Sequence, residues 1–365
     1  MTPNIINLFA GPGGFDMGAR ILGITEQIHG YDIDPDANAT AAAAGFARTR
    51  ASVLDLAPDG MHGVDIAVIT PPCPPFSRSG LGKGLDDFPA MSRAFTLLGD
   101  NFCGMVDDDA YAEALVDMHD SRSALVVETL RVAFRLPDLE VLVAEQVPAA
   151  ARLWQEIGAE LAMAANWEFL AVLTVAAQDL GVASARVRTF LVAARDYTPN
   201  LAGLPMRALW TTGRFAPPRQ EMPPPWARFP STSMAAALGW PAGERVNTRG
   251  ARRTSGGNEF SADGPSWCLT SKARSWKRVS DGAPLTAAQA GLLTGFPEDY
   301  PWAGSRSKQF LQSADVVSPP VAAAVLGAAL GLDWQGPVRD YLAGIYPATP
   351  REAIYQPSLF EETAA

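Results

Sequence analysis

The 365-residue chain is 48% hydrophobic and 19% charged, a soluble globular composition whose length fits two domains better than one small core. Cys73, Cys103 and Cys268 are widely separated and odd in number, which argues against a disulfide framework or a zinc knuckle and fits a reducing cytosol. The formal net charge of −10 counts against a globally electrostatic nucleic-acid binder, no apolar run looks long enough to span a bilayer, and the start MTPNIINLF lacks the basic region and cleavage site of a signal peptide.

NIINLFA reads as a strand running into glycines, and GFDMGARILG follows with helical spacing. ITEQIHGYDID is a strand ending in acids, and DPDANATAAAAGF a helix with Asp34 as N-cap. SVLDLAP is a third short strand that Asp55 ends, and GVDIAVITPP a further strand. SALVVETLRVAFRL is an amphipathic helix, LEVLVAEQV a strand, and WEFLAVLTVAAQDLG with RTFLVAAR a hairpin pair. Strands alternating with helices imply a mostly parallel, doubly wound α/β sheet.

The texture changes near Asp196. From there to about Pro284 the chain is rich in Pro, Trp, Gly and Arg, and APPRQEMPPPWARFP cannot be a regular helix or a central strand. Trp210, Phe215, Trp226, Phe229, Trp240 and Phe260 favour a small irregular domain over disorder. Arg245, Arg249, Arg252, Arg253, Lys272, Arg274, Lys277 and Arg278 cluster there, so a local basic face can meet phosphates although the whole chain is acidic. Helical spacing returns in LTAAQAGLLTGF and PPVAAAVLGAALGL; the residues after about Trp334 show no clear role.

Three places carry candidate chemistry. Gly11, Gly13 and Gly14 permit a tight turn and close backbone approach to a ligand, and Asp32 ends the second strand, where a carboxylate can bind ribose hydroxyls. The dinucleotide pattern G-x-G-x-x-G is not quite present, which favours a nucleoside ligand without a pyrophosphate, such as S-adenosylmethionine, over NAD. Cys73, among four prolines in ITPPCPPFSRSG, stands at the carboxyl edge of a strand, where ligands sit in open α/β sheets. Seen alone, that loop is divided between an inert buried cysteine and an aimed nucleophile. Glu145 ends another apolar run and can reach the same edge; Arg186 and Arg188, two apart, share a face if extended. In isolation such a Glu is more often a surface residue and R-x-R a solvated face. Cys103 and Cys268 read as structural.

Taken together, in order and over residues from Asn4 to about Leu332, these motifs resemble the DNA cytosine-5 methyltransferases. NLFAGPGGF looks like the family's F-x-G-x-G turn, and PPCPPFS like its nucleophile loop P-C-Q-x-F-S. DSRSALVVETLRV is similar to the D-x-R-x-x-L helix start, AEQV stands at E-N-V and SARVR at Q-x-R-x-R. LTAAQAGLLTGFPEDY and QSADVVSPPVAAAV resemble the two C-terminal motifs. The resemblance implies a doubly wound S-adenosylmethionine-dependent fold with a smaller target recognition domain. It implies a cofactor site of Phe9, Ala10, Gly11, Gly13, Gly14, Asp32, Ile33, Asp55, Leu56, Pro72 and Leu125, with Asp32 on the ribose and Asp55 near the adenine amino group. No metal is implied.

The catalytic set it implies is Cys73 attacking C6, Glu145 on N3 and the 4-amino group, and Arg188, supported by Arg186, on O2 of a flipped-out cytosine in duplex DNA. A cognate restriction endonuclease, a monomer and the cytoplasm of a bacterial or phage-infected cell complete the expectation. Four positions depart from the family pattern. Pro74 and Gln146 replace the usual Gln and Asn, Ser184 replaces the Gln before the arginines, and Ala314–Asp315 replace Gly-Asn. The competing expectations are a catalytically silent DNA-binding protein, a tRNA cytosine-5 methyltransferase of the same fold, and an amino-group methyltransferase. The expected organisation is a catalytic domain over 1–195, a small domain over 196–310, a returning helix over 311–332 and a tail over 333–365.

Overall fold

A computed structural model describes residues 4–24, 27–72, 86–104, 112–113, 115–164, 167–213, 229–249 and 258–346. Cys73 and Pro74, as well as Phe215, Trp226, Arg252 and Arg253, lie outside the described residues.

The first half alternates β1 (Ile5–Leu8), α1 (Gly14–Ile21), β2 (Ile28–Asp32), α2 (Pro35–Ala43), β3 (Ala47–Arg50) and β4 (Ile66–Ile69). It continues through α3 (Phe88–Phe102), α4 (Ala124–Arg135), β5 (Val141–Gln146), α5 (Ala151–Ala164), β6 (Phe169–Ala176), β7 (Val187–Ala194) and β8 (Met206–Thr212). The eight strands form one sheet in the order β3-β2-β1-β4-β5-β7-β6-β8, parallel from β3 to β5 and antiparallel beyond. The expected hairpin is β6 against β7, which threads back between β5 and β6.

Both faces of the sheet are covered, so side chains alternate between two cores, as the two-residue strand period requires. Ile5, Val68, Val141 and Val143 face the core that also holds Ala19, Val321 and Val325. Ile6, Ala67, Leu142 and Ala144 face the core built with Phe95, Leu130, Trp154 and Ile157. Strand order reverses between β1 and β4, which opens a crevice at their carboxyl ends.

Local rules account for the entrances to that crevice. Asp34 caps α2, its carboxylate accepting the Asp36 and Ala37 N–H groups at 2.8 and 3.1 Å. Phe9 has φ 56°, a strained value for a bulky residue, and turns the chain sharply off β1. Gly14 has no room for a side chain: an added Cβ would lie 2.3 Å from the Val317 carbonyl oxygen and 2.8 Å from Val316 Cγ2. Because the nearest obstacle is backbone, Gly14→Ala is expected to cost about 1–3 kcal/mol. Urea unfolding checks it, and an unchanged midpoint would mean that α1 and the 316–317 turn separate freely.

Several expected boundaries move. The third strand is ARTR at Ala47–Arg50, and Val53–Asp55 is a 3₁₀ turn capped by Ser52, not a strand that Asp55 ends. β8 falls inside the expected small domain, yet it forms the edge of the main sheet beside β6. Beyond Met206 its residues are exposed or half-buried, which suits an edge, whereas the irregular composition nearby concealed it. The rest of that region holds α6 (Met234–Leu238) and a three-stranded sheet of β9 (Arg245–Asn247), β10 (Glu259–Ser261) and β11 (Lys277–Arg278). Phe260 stacks on Trp267 with ring centroids 4.6 Å apart and meets Trp276 edge-on at 5.3 Å.

The chain returns to the main unit earlier than expected, through α7 (Ala287–Leu293), α8 (Arg306–Asp315), α9 (Pro319–Ala329) and α10 (Gln335–Ile345). Phe296 and Tyr300 pack with Met17, Ala41 and Phe46, and the Tyr300 hydroxyl donates to the Pro12 carbonyl. The stretch Arg306–Ala329 is long and apolar enough to cross a membrane by length and composition, contrary to expectation, but its apolar part is 89% buried. It is two helices broken before Pro319, with α9 wedged against α1 where Gly18 meets Ala322. The first part of the tail is structured too: Trp334, Val338, Leu342 and Tyr346 are buried in the main core.

Candidate active site

The crevice between β1 and β4 holds a pocket of about 460 Å³, a size suited to a nucleoside-containing ligand. Phe9, Ala10, Gly11 and Gly14 line it from the β1–α1 turn, Asp32 and Ile33 from the end of β2, Pro72 from the end of β4, and Leu125 from α4. Glu145 and Arg188 close it from β5 and β7. Gly13 is not in the wall; with φ 108° it packs under Phe46 and Tyr300 and shapes the turn from behind. Asp55 and Leu56 also stay out of the wall, Asp55 being exposed beyond the 3₁₀ turn; Ser52 and Leu54 occupy their expected place.

At one end, the Asp32 carboxylate accepts the Gly11 N–H and the Asp34 N–H, each at 2.8 Å. Burial pushes its pKa up, against those two bonds. Each oxygen keeps lone-pair capacity for a hydroxyl donor. Ile33 is 66% and Leu54 55% exposed, large apolar groups facing a pocket rather than packed in a core. Asn7 is fully buried in the wall; its Nδ2 donates to Asp16 at 2.9 Å, while its Oδ1 has no protein donor. A ribose, a purine and a cationic or N–H group fit these three features, so the donor set suits S-adenosylmethionine.

At the other end, β5 and β7 pair in register so that Glu145 and Arg188 leave adjacent strands. Arg188 Nε lies 2.9 Å from Glu145 Oε1. Burial is the largest influence on the Glu145 carboxyl and raises its pKa, while Arg188 and Arg186 pull the other way. Arg186 does not enter the pocket. It is 2% exposed, and its guanidinium donates to the Ala314 carbonyl and, at 2.9 Å, to the Asp315 carbonyl, tying β7 to the end of α8.

Pro71 and Pro72 line the pocket, and Cys73, next in the chain, lies outside the described residues. Its approach is nevertheless fixed. Gln146 is fully buried and donates from Nε2 to the Pro71 carbonyl at 3.1 Å, while its Oε1 accepts the Val147 N–H at 2.8 Å. The longer amide thus supports the strand leading to Cys73. Thr70 adds a second tie, its hydroxyl donating to the Phe9 carbonyl at 2.9 Å. Gln146→Leu removes the donor and leaves the Pro71 carbonyl buried, which costs about 1–3 kcal/mol. The expected result is a lower urea midpoint and a lower kcat with unchanged cofactor affinity; equal kcat would remove the amide from loop positioning.

Sequence reasoning missed Asn7, Ser52, Leu54, Thr70 and the α8 residues Leu311, Gln312 and Asp315, all in the wall. The motif QSADVV was visible, but only folding brings it opposite the β1 turn. Ser184 is buried and bridges to Ser266, so it links the sheet to the irregular region, outside the pocket wall. Cys103 and Cys268 are exposed, contrary to a structural role. The basic cluster is partly neutralised: Arg278 pairs with Asp281 and Arg245 lies 3.4 Å from Glu259. Among the described residues no group of His, Cys, Asp and Glu could hold a metal ion.

Comparison with known proteins points the same way. Residues 3–91 match the family model described as C-5 cytosine-specific DNA methylase. Type II methyltransferase M.AplI of Arthrospira platensis is 36% identical over 83 residues, a match covering 23% of this chain and 24% of that protein. Type II methyltransferase M.NgoMIV of Neisseria gonorrhoeae is 23% identical over 284 residues, covering 73% of this chain and 77% of that one. The solved structure of Entamoeba histolytica methyltransferase EhMeth has a TM-score of 0.58 at 14% identity, covering 91% of this chain and 98% of that chain, a likeness of fold. The resemblance read from the motifs, and the methyltransferase fold it implied, are borne out.

Proposed function

We propose that this chain, with its C-5 cytosine-specific DNA methylase segment, transfers a methyl group from S-adenosylmethionine to C5 of a cytosine flipped out of duplex DNA. The observation that carries the reading is the two-ended pocket: Asp32 and apolar walls at one end, the Glu145–Arg188 pair and the approach to Cys73 at the other. Asp32 would hold the ribose and Ile33 and Leu54 the adenine. When bound, the cofactor supplies an electrophilic methyl group.

Cytosine C5 is a weak nucleophile, so the remaining chemistry belongs to the chain. The Cys73 thiolate adds to C6, forming the S–C6 bond and turning C5 into an enamine carbon. Glu145, whose protonated form burial favours against the pull of Arg188 and Arg186, donates in that form to N3 and accepts from the 4-amino group. Arg188 turns from Glu145 to O2, where negative charge builds up. After methylation at C5, water removes the C5 proton and the S–C6 bond breaks, releasing Cys73. Arg186 acts by holding α8, not by touching the base.

Double-stranded DNA, read by the irregular region, is the proposed partner, with a cognate restriction endonuclease as the biological counterpart and the cytoplasm as the location. Expression in a host lacking 5-methylcytosine, followed by base-resolution mapping, tests this. Modified cytosines at one short recurring DNA sequence support the reading. Label in RNA would move it to the tRNA reading; DNA binding without label would leave a silent binder.

A further inference from the structure

We infer that Asp315 is a specificity residue of the cofactor pocket, whose carboxylate favours the sulfonium of S-adenosylmethionine over the neutral thioether of S-adenosylhomocysteine. The inference rests on the methyl-transfer reading above and deepens it. Asp315 lines the pocket and is solvent-accessible there. It belongs to the reactive end. Burial raises the pKa of its carboxyl, Arg186 and Arg188 pull the other way and favour the carboxylate, and it acts in turn on Glu145. Asp32, at the nucleoside end, answers instead to Asp34 and Arg48. Asp32, Glu145 and Asp315 line one pocket, so a methyl donor held by its ribose at Asp32 and reacting beside Glu145 would have Asp315 in the wall of its reactive end.

The helix that carries it gives no reason for an acid at this position. Asp315 is the last residue of α8, where a carboxylate opposes the helix dipole. The helix end tolerates it because Arg186 reaches across from the sheet and donates to the Ala314 and Asp315 carbonyls. The same contact pins the residue that presents the carboxylate. The resembling family has a neutral Asn at this place, nearly the same shape without the charge. A local conflict that the fold compensates is where a functional cause is to be sought. Charge supplies one: methyl transfer converts a cationic ligand into a neutral one inside a partly desolvated pocket, where a nearby carboxylate interacts more strongly than in water. Product is then held less firmly than substrate, and exchange is favoured.

The test is calorimetric binding of S-adenosylmethionine, S-adenosylhomocysteine and sinefungin, which carries an amine near the sulfonium position, to the full chain and to Asp315→Asn. The expected result is a fall of about tenfold in the sulfonium-to-thioether affinity ratio, with sinefungin following the sulfonium ligand. A ratio unchanged in Asp315→Asn overturns the inference. So does an equal loss for both ligands, which would place the carboxylate on the α-ammonium they share. Asp315→Ser repeats the comparison should the amide variant fold poorly. If the wild-type chain binds neither nucleoside, the methyl-transfer reading itself falls and takes the inference with it; a wild-type chain that binds both keeps that reading whatever the ratio does.

Discussion

Glu145→Gln is expected to lower methyl transfer by about a hundred- to ten-thousand-fold, the span of general acid catalysis, and Cys73→Ala to lower it to background. Glutamine keeps the volume and can still meet Arg188, but its amide N–H can only hydrogen-bond a ring nitrogen and cannot transfer a proton to it. The pH dependence separates the two roles. Burial raises the Glu145 pKa, with Asp315 adding to it and both arginines opposing. Its neutral form therefore persists to higher pH than that of a solvated glutamate. Activity that needs the neutral form is complete below this pKa and falls as pH rises through it. The thiolate of Cys73 has the opposite demand and is formed as pH rises. A rate profile from about pH 5 to about pH 9 should be bell-shaped, and Glu145→Gln should lose the alkaline fall. A variant within about threefold of wild type at all pH values would remove Glu145 from the chemistry.

Arg48→Met is expected to destabilise the chain by about 3–5 kcal/mol, the cost of stranding a buried charge. Arg48 crosses Gly30 from β3 to reach Asp16 on α1, with Nη1 and Nη2 at 2.6 and 2.7 Å from the two carboxylate oxygens. The Asp16 side chain is 0% and that of Arg48 4% exposed. Without the guanidinium, Asp16 retains the Asn7 amide as its described donor. The double variant Asp16→Leu with Arg48→Met should recover much of the loss, because no charge is then buried alone. Urea unfolding of the three variants gives the cycle. A single-variant cost below about 1 kcal/mol would mean that water reaches Asp16. Cofactor affinity should fall with the single variant, since Asp16 orients Asn7 in the pocket wall.

The two ends of the site were unequally legible. The turn after β1 and Asp32 carry their meaning locally, because glycine and a strand-end acid act through their own backbone. Glu145 and Arg188 were visible as residues but not as a pair, since β7 had first to insert antiparallel beside β5. Arg186, two residues from Arg188, was expected to support it, and its guanidinium binds carbonyls 128 and 129 residues away. Spacing within a strand says which residues share a face, not what the rest of the chain brings to that face. Asp55 shows the same limit: a 3₁₀ turn turns it outward and offers Leu54 to the pocket.

By itself, the order of apolar runs, glycines and acids determined a doubly wound sheet and the crevice edge. These follow from periodicity and backbone conformation, which act over a few residues. Tertiary structure alone decided that β8 joins the main sheet, that Gln146 supports the Pro71 carbonyl, and that α8 completes the pocket with Asp315. Those contacts join residues far apart in the chain, and their energies exist only after both cores have closed on the sheet.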